Sequence, residues 1–104
     1  MHLLAATPGA IEDGQDPIDL GQTPSDVVIL SAADSEIALL SEARAQMADP
    51  PGLRLASLLH LSHPMTVDLH LDRCATRSRL VIARILGGRG YWRYGFEQYA
   101  ARLR

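Results

Sequence analysis

A glycine-rich stretch near the end of this 104-residue chain has the residue types of a ligand site. Main-chain N–H groups at a helix N-terminus attract anions, and arginine binds carboxylate or phosphate through paired hydrogen bonds. Aromatic rings in the same stretch could lie against a large planar ligand. The candidate ligand-binding residues are Gly87, Gly88, Arg89, Tyr91, Trp92 and Arg93. The alternative is a tight strand-to-helix turn whose aromatic residues belong to the core or to a domain interface.

Three histidines, His60, His63 and His70, lie within eleven residues of sequence and suggest a weak metal site. His60 and His63 could chelate an ion from one loop, whereas His70 falls about two turns along the following helix. Zinc-like sites need three or four converging ligands, and no carboxylate or thiolate has the spacing to complete this set. The alternative is three unrelated histidines, one in a loop, one at a helix start and one on the surface.

Several other chemistries are excluded by residue type. The ten cationic residues contain no lysine, so the chain has neither a Walker A loop nor a lysine for a pyridoxal phosphate Schiff base. The segment Gly88-Arg89-Gly90 is not followed by the third glycine of the dinucleotide fingerprint. Cys74 has no spaced histidine or aspartate partner, which favours a buried thiol on an apolar helix face over a nucleophile.

The composition is that of one ordinary globular domain. Hydrophobic residues make up 47% of the chain, and the net charge is −2. These values argue against a nucleic-acid-binding module and a polybasic membrane anchor, and no apolar run approaches the ~20 residues of a membrane span. The start has no signal-peptide pattern, and the single cysteine fits a reducing compartment. We therefore expect a cytoplasmic protein without nucleic-acid or membrane partners.

Short apolar runs alternate with helical patterns along the chain. Strands are predicted at residues 3–6, 27–31, 53–59 and 79–86, and helices at residues 35–48, 64–76 and 91–103. This alternation implies a parallel sheet with right-handed crossovers. We predict a single α/β domain over residues 1–104, with a small Rossmann- or flavodoxin-like sheet of about four strands. Residues 7–26 are the least regular part, where Asp13-Gly14 could close a small hairpin.

Helix ends and buried faces can also be predicted. Asp34 is a candidate N-cap of the first helix, and Pro64 suits the first position of the second. Gly95 inside the third helix should cost roughly 1 kcal/mol relative to alanine. The expected buried faces are Leu40, Ala43 and Met47 in the first helix, Val67, Leu71 and Cys74 in the second, and Trp92, Phe96, Tyr99 and Leu103 in the third.

The strand ends show where a ligand would bind. In open α/β sheets, ligands lie beyond the carboxyl ends of the strands. The segments that fall there are 31–34, 60–63 and 87–92. Ser31 and Asp34 offer little chemistry, so the histidine loop and the glycine loop are the main candidates. The last helix reaches Arg104 without a glycine, asparagine or proline stop, and we expect the chain to be a piece of a longer protein.

Four stretches carry a family resemblance: IDLGQTPSD at 18–26, VVILSAADSE at 27–36, LRLASLLHLSHPMTVD at 53–68 and LGGRGYWRYGFE at 86–97. In this order and spacing they resemble the N-terminal end of the large subunit of aerobic cobaltochelatase, a family related to the large subunit of magnesium chelatase. The resemblance covers nearly the whole chain, and residues 5–17 and 43–53 match only loosely.

The resemblance implies a role in the oxygen-dependent route to vitamin B12. Large subunits of this family bind hydrogenobyrinic acid a,c-diamide, a tetrapyrrole, and cobalt(II) is the substrate that is inserted. ATP and Mg²⁺ belong to AAA+ type partner subunits, which agrees with the absence of a Walker A loop here. The chain would then be the N-terminal α/β piece of a much longer subunit, inactive alone, with the remaining domains of that subunit and the ATPase subunits as partners.

The resemblance transfers no catalytic residue to this chain. Under it, Arg89 and the glycine N–H groups would bind a substrate carboxylate, Tyr91 or Trp92 would lie against the ring, and His60 or His63 would touch the metal before insertion. Two other functions stay open. One is a docking or structural module with no ligand of its own, and the other is a free-standing flavodoxin-like nucleotide binder.

Overall fold

Three strands alternate with three α-helices in the computed structural model, which describes residues 17–103 apart from the side chain of Arg89. The elements are β1 (Val27–Ser31), α1 (Asp34–Ala45), β2 (Leu53–Ser57), α2 (Pro64–Arg73), β3 (Leu80–Arg84) and α3 (Arg93–Arg102). Short 3-10 turns occupy Leu58–Leu61, Ala75–Arg77 and Arg89–Trp92. The predicted order of elements is confirmed over this range. The strand predicted at 3–6 and the hairpin at Asp13-Gly14 lie outside the described residues.

The sheet is parallel, with β1 in the centre and the order β2-β1-β3. Val27 pairs with Leu53 on one side and with Leu80 on the other. A central first strand is the flavodoxin arrangement rather than the Rossmann one. The α/β class and the parallel sheet are therefore confirmed, with three strands in the described part of the chain.

The core lies between one face of the sheet and the helices α2 and α3. Val28 and Leu30 of β1 are fully buried on that face. The predicted face of α2 is confirmed, because Val67, Leu71 and Cys74 are all buried. The predicted stripe of α3 also faces the core: Trp92 and Tyr99 are buried, and Phe96 and Leu103 pack against the cluster half-buried.

The first helix differs from its prediction, because it buries no residue completely. Ile37 and Leu40 are half-buried, but Ala43 and Met47 are exposed, so their predicted burial is wrong. The crossovers β1→β2 and β2→β3 run in opposite directions across the sheet. Right-handed connections therefore place α1 on the face opposite α2, where it is the only helix among residues 17–103.

Most element boundaries differ from the predictions by one to three residues; the third helix, for example, begins at Arg93 rather than at residue 91. At two of these boundaries a serine hydroxyl binds the main chain. Asp34 is not the N-cap but the first residue of α1; the cap is Ala33, whose N–H donates to Ser31 Oγ at 3.0 Å. Strand β2 ends at Ser57 rather than at residue 59, because Ser57 Oγ accepts from the Leu59 N–H and begins a 3-10 turn. Pro64 does occupy the first turn of α2, as predicted.

Candidate functional site

The carboxyl ends of the three strands bring the predicted ligand loops to one edge of the sheet. In a flavodoxin-like order the ligand crevice opens between β1 and its neighbour β3, where the connections leave on opposite faces. Residues 32–33 follow β1, residues 58–63 follow β2, and residues 85–92 follow β3. The sequence prediction of a shared edge is thus confirmed by the parallel sheet.

The end of β1 is filled by internal bonds. The buried Ser31 hydroxyl donates to Glu36 Oε1 at 2.6 Å, and the other carboxylate oxygen of Glu36 lies 2.9 Å from an Arg84 nitrogen at the end of β3. Because the Arg84 guanidinium already has a carboxylate partner, it offers little attraction to a further anion. This cluster holds β1, α1 and β3 together at the point where a nucleotide would enter a flavodoxin-like fold.

The glycine loop after β3 is an exposed turn. Gly87 and Gly88 have φ values of 100° and 78°, the left-handed region that glycine adopts without steric cost. The Tyr91 N–H donates to the Gly88 carbonyl at 3.2 Å, which closes the turn ahead of α3. The side chain of Arg89 lies outside the described part of the structure, so its predicted role stays a prediction.

A shallow depression of about 420 Å³ adjoins this turn and is lined by Gly90, Arg93, Phe96 and Glu97. The Arg93 side chain is 80% exposed, and its Nε lies 3.6 Å from a carboxylate oxygen of Glu97 one turn later. An exposed ion pair of this kind contributes ~0–1 kcal/mol, so a ligand carboxylate could displace Glu97 at little cost. The predicted residue Arg93 is therefore accessible for binding.

Trp92 lies in the core, which supports the alternative interpretation of the aromatic stretch. Its side chain is 4% exposed, and its indole N–H donates to the Leu61 carbonyl at 2.9 Å. Its ring packs against Tyr99 with 5.1 Å between centroids. Tyr91, by contrast, is half-buried and packs at the margin of the core. Of the two aromatic residues predicted to meet a planar ligand, Tyr91 is the accessible one.

The three histidines have separate roles in the structure. His60 is exposed in the 3-10 turn after β2, and His63 caps α2 by accepting the Met65 N–H on Nδ1 at 3.0 Å. His70 is 4% exposed, so its predicted surface position is wrong. Within residues 17–103, no group of three or more His, Cys, Asp or Glu side chains is placed to hold a metal ion.

A buried polar network around His70 was missed by the sequence analysis. The Gln22 amide donates to the Leu55 carbonyl at 2.9 Å, so Gln22 Oε1 accepts from His70 Nε2–H at 2.8 Å. His70 Nδ1 then accepts the Tyr99 hydroxyl at 2.5 Å. Desolvation by burial, partly offset by Asp19, lowers the pKa of His70 to about 4. His70 therefore acts as a neutral core residue.

The sequence did contain a signal for this burial. His70 falls three residues after Val67 and one before Leu71, within the apolar face that was predicted for α2. The prediction for Cys74 on the same face is confirmed: its thiol is buried, it donates towards the Thr23 carbonyl at 3.3 Å, and burial raises its pKa.

Two curated relatives are similar to nearly the whole chain. The aerobic cobaltochelatase subunit CobN of a Sinorhizobium species is 47% identical over 97 residues, which is 93% of this chain. The aerobic cobaltochelatase subunit CobN of Pseudomonas aeruginosa is 43% identical over 102 residues, or 97% of this chain. The chain spans about 8% of the length of each relative. No family profile and no solved structure matches it.

None of the helices within residues 17–103 has the length and apolar character of a membrane span.

Proposed function

We propose that this chain, which is homologous to a segment of the aerobic cobaltochelatase subunit CobN, serves as an α/β segment of a cobalt-inserting chelatase subunit. The observation that carries the proposal is the 47% identity over 97 residues. The reaction of the whole assembly would be insertion of cobalt(II) into hydrogenobyrinic acid a,c-diamide. ATP and Mg²⁺ would bind AAA+ type partner subunits, since this chain has no lysine for a Walker A loop.

Within that subunit, we propose that the turn after β3 contacts the tetrapyrrole. The substrate bears carboxylates on a large ring, and Arg93 is an exposed guanidinium beside the shallow depression. Gly87 and Gly88 are exposed in the same turn, where their N–H groups would bind a carboxylate, and the half-buried Tyr91 would lie against the ring. Arg89 would add a second guanidinium from the same turn.

A transient contact with cobalt(II) is proposed for the loop after β2. His60 is exposed there, and His63 uses Nδ1 to accept the Met65 N–H, which leaves Nε2 as the nitrogen that would face a metal. Two imidazoles without a third ligand give a weak site. Weak binding suits an ion that must be handed on to a macrocycle.

A docking role without a ligand is the second candidate, and the exposure of β3 favours it. Two of its apolar side chains, Leu80 and Ile82, are more than one third exposed. A buried parallel strand normally has both faces covered. The free-standing nucleotide binder finds no such support, because Ser31, Glu36 and Arg84 fill the β1/β3 crevice with internal bonds.

A chimeric subunit tests the proposal. The matching segment of the Pseudomonas aeruginosa subunit is replaced by this chain, and ATP-dependent cobalt insertion is measured with the ATPase subunits present. We expect insertion at a rate similar to that of the parent subunit. A chimera that folds, as judged by its melting curve, and yet inserts no cobalt would refute the proposed function.

Variants of the chimera separate substrate binding from docking. Arg93→Glu should raise the KM for the macrocycle by about 10- to 100-fold, because one charge-assisted hydrogen bond of ~1.5–3 kcal/mol is lost. Arg77→Glu is the matched control, since Arg77 is also exposed but follows α2, away from the carboxyl edge. Equal KM values for the two variants would exclude Arg93 from the binding site and favour the docking role.

A further inference from the structure

The two outer strands of the sheet, β2 and β3, differ in what contacts their outer sides. The outer side of β2 is contacted by the segment that precedes β1: the Gln22 amide donates to the Leu55 carbonyl at 2.9 Å, and the Arg54 guanidinium donates to the Thr23 carbonyl at 3.0 Å. On the outer side of β3, no strand within residues 17–103 is paired. Among the described residues, the sheet therefore has one contacted edge and one open edge.

The open edge presents regular main-chain groups. The Leu80 N–H donates to the main-chain carbonyl of the residue just before β1, and the Arg84 carbonyl accepts the N–H of the residue just after β1. Both of these groups therefore face β1. Since successive residues of a strand bond to opposite sides, the N–H and carbonyl groups of Val81 and Ala83 point outward. Unpaired main-chain groups of this kind are a template for another strand.

Apart from Arg84 at its end, β3 has no side chain of the kind that protects an open edge. Natural open edges commonly carry lysine, proline or inward-pointing charges that prevent pairing. The stretch from Leu80 to Ala83 has none of these, and Leu80 and Ile82 are 52% and 39% exposed on the α1 face of the sheet. Such a strand has the composition of a central strand and the position of an edge.

An apolar strip lies beside the open edge. At about 100° per residue, Leu39 and Ala43 share one flank of α1 with Glu36. That flank is turned towards β3, because Glu36 pairs with Arg84 at 2.9 Å. Leu39 on that flank is 66% exposed. Leu39, Leu80 and Ile82 form the apolar strip. In doubly wound folds, a second helix covers this face of the sheet.

The direction of the chain indicates which strand fits. Helix α3 packs against α2 and therefore lies on the same face of the sheet as α2. The crossover through α2 moves from β2 past β1 to β3. A crossover through α3 with the same right-handed sense moves one position further in that direction, and a strand that follows α3 arrives at the open edge of β3.

We propose that the edge of β3 pairs with a fourth parallel strand, supplied by the part of a CobN-like subunit that follows α3 and lies outside these 104 residues. The sheet order becomes 2-1-3-4, and further chain on the α1 face covers the strip. The relatives have room for this strand, because the chain spans only about 8% of their length. A second copy fits less well, since a two-fold dimer would pair the β3 edges antiparallel.

Amide hydrogen exchange tests the proposal without an activity assay. In this chain alone, the Val81 and Ala83 amides should exchange fast, while the Val28 and Leu30 amides of central β1 exchange slowly. In the chimeric Pseudomonas aeruginosa subunit, all four amides should be slow. Fast exchange of the β3 segment in the folded chimera would overturn the proposal. Slow exchange of Val81 and Ala83 in the isolated chain would also overturn it, because residues 1–16 or a second copy would then cover the edge.

A matched pair of variants adds a second readout. Ala83 is exposed and its N–H points outward, so Ala83→Pro should leave the isolated chain with an unchanged melting temperature, as proline is tolerated on an edge strand. In the chimera, Ala83→Pro should restore fast exchange at Val81, whereas Ala83→Val, which keeps the N–H, should not. Identical exchange in the two chimeric variants contradicts the pairing.

Discussion

Replacing Gly95 with alanine tests how closely α3 packs on the core. A Cβ at this position would lie 2.0 Å from Trp92 Cε2 and 2.3 Å from Cζ2, well inside van der Waals contact. The indole has little freedom to move away, because its N–H bonds the Leu61 carbonyl at 2.9 Å and its ring packs on Tyr99. The backbone of α3 or the indole must therefore shift.

The magnitude follows from two opposing effects. In an exposed helix, glycine to alanine stabilises by about 1 kcal/mol. Here the added methyl enters a packed region at a cost of about 1–3 kcal/mol, and displacing the indole loses a hydrogen bond of about 1 kcal/mol. We expect Gly95→Ala to lower the free energy of unfolding by about 1–3 kcal/mol. For a domain of this size the melting temperature should fall by roughly 5–15 °C.

Thermal and urea unfolding followed by circular dichroism measure the effect. Ala100→Gly is the helix-propensity control, because Ala100 is exposed in the same helix, and it should lose only about 1 kcal/mol. In a Trp92→Phe background, with its smaller ring, the added methyl should cost less by about 1 kcal/mol or more. A Gly95→Ala variant that melts at or above the wild-type temperature would refute the close contact, as would an equal cost in both backgrounds.

Three further predictions follow from buried polar groups. The pKa of His70 is about 4 in the folded chain and 6.5 in the unfolded chain, so between these pH values the unfolded chain binds one more proton. The free energy of unfolding should therefore fall by up to about 3 kcal/mol as the pH drops from 6.5 to 4. Urea unfolding at several pH values measures this slope, and the His70→Gln variant should lack it. Ser31→Ala removes the hydroxyl that bonds the Ala33 N–H and the Glu36 carboxylate. Urea unfolding should show that the free energy of unfolding falls by about 1–3 kcal/mol. An unchanged unfolding midpoint would contradict a structural role for this hydroxyl. The Cys74 thiol, buried and with a raised pKa, should react with Ellman's reagent only after unfolding, and rapid reaction of the native chain would contradict its burial.

The order and type of the elements could be derived from local patterns. The apolar run at 27–31 and the 3.6-residue repeat of Val67, Leu71 and Cys74 are properties of neighbouring residues, and both predictions are confirmed. Strand-helix alternation then leads to a parallel sheet, because right-handed crossovers leave few other arrangements. The same rule places the candidate loops at one edge of the sheet, so the region of the candidate site was also predictable.

The role of each side chain at that edge depended on contacts between distant parts of the chain. Trp92 and Tyr91 are neighbours in sequence, yet one is enclosed by Leu61 and Tyr99 and the other reaches the margin of the core. His70 is neutral because it is buried, and its Nε2–H bonds the side-chain oxygen of Gln22, 48 residues away. Spacing within one helix carries no information about such partners.

The sequence by itself determined which segments are strands and helices, because those preferences are set by backbone sterics and by the period of apolar residues. Only the tertiary structure decided which of these segments are enclosed. Residues 80–83 are all apolar, as residues 27–30 are, but within residues 17–103 β1 has a strand on each side and β3 has one. Burial depends on what packs against a surface, and that is settled by where the crossovers place each element rather than by the residues that the element contains.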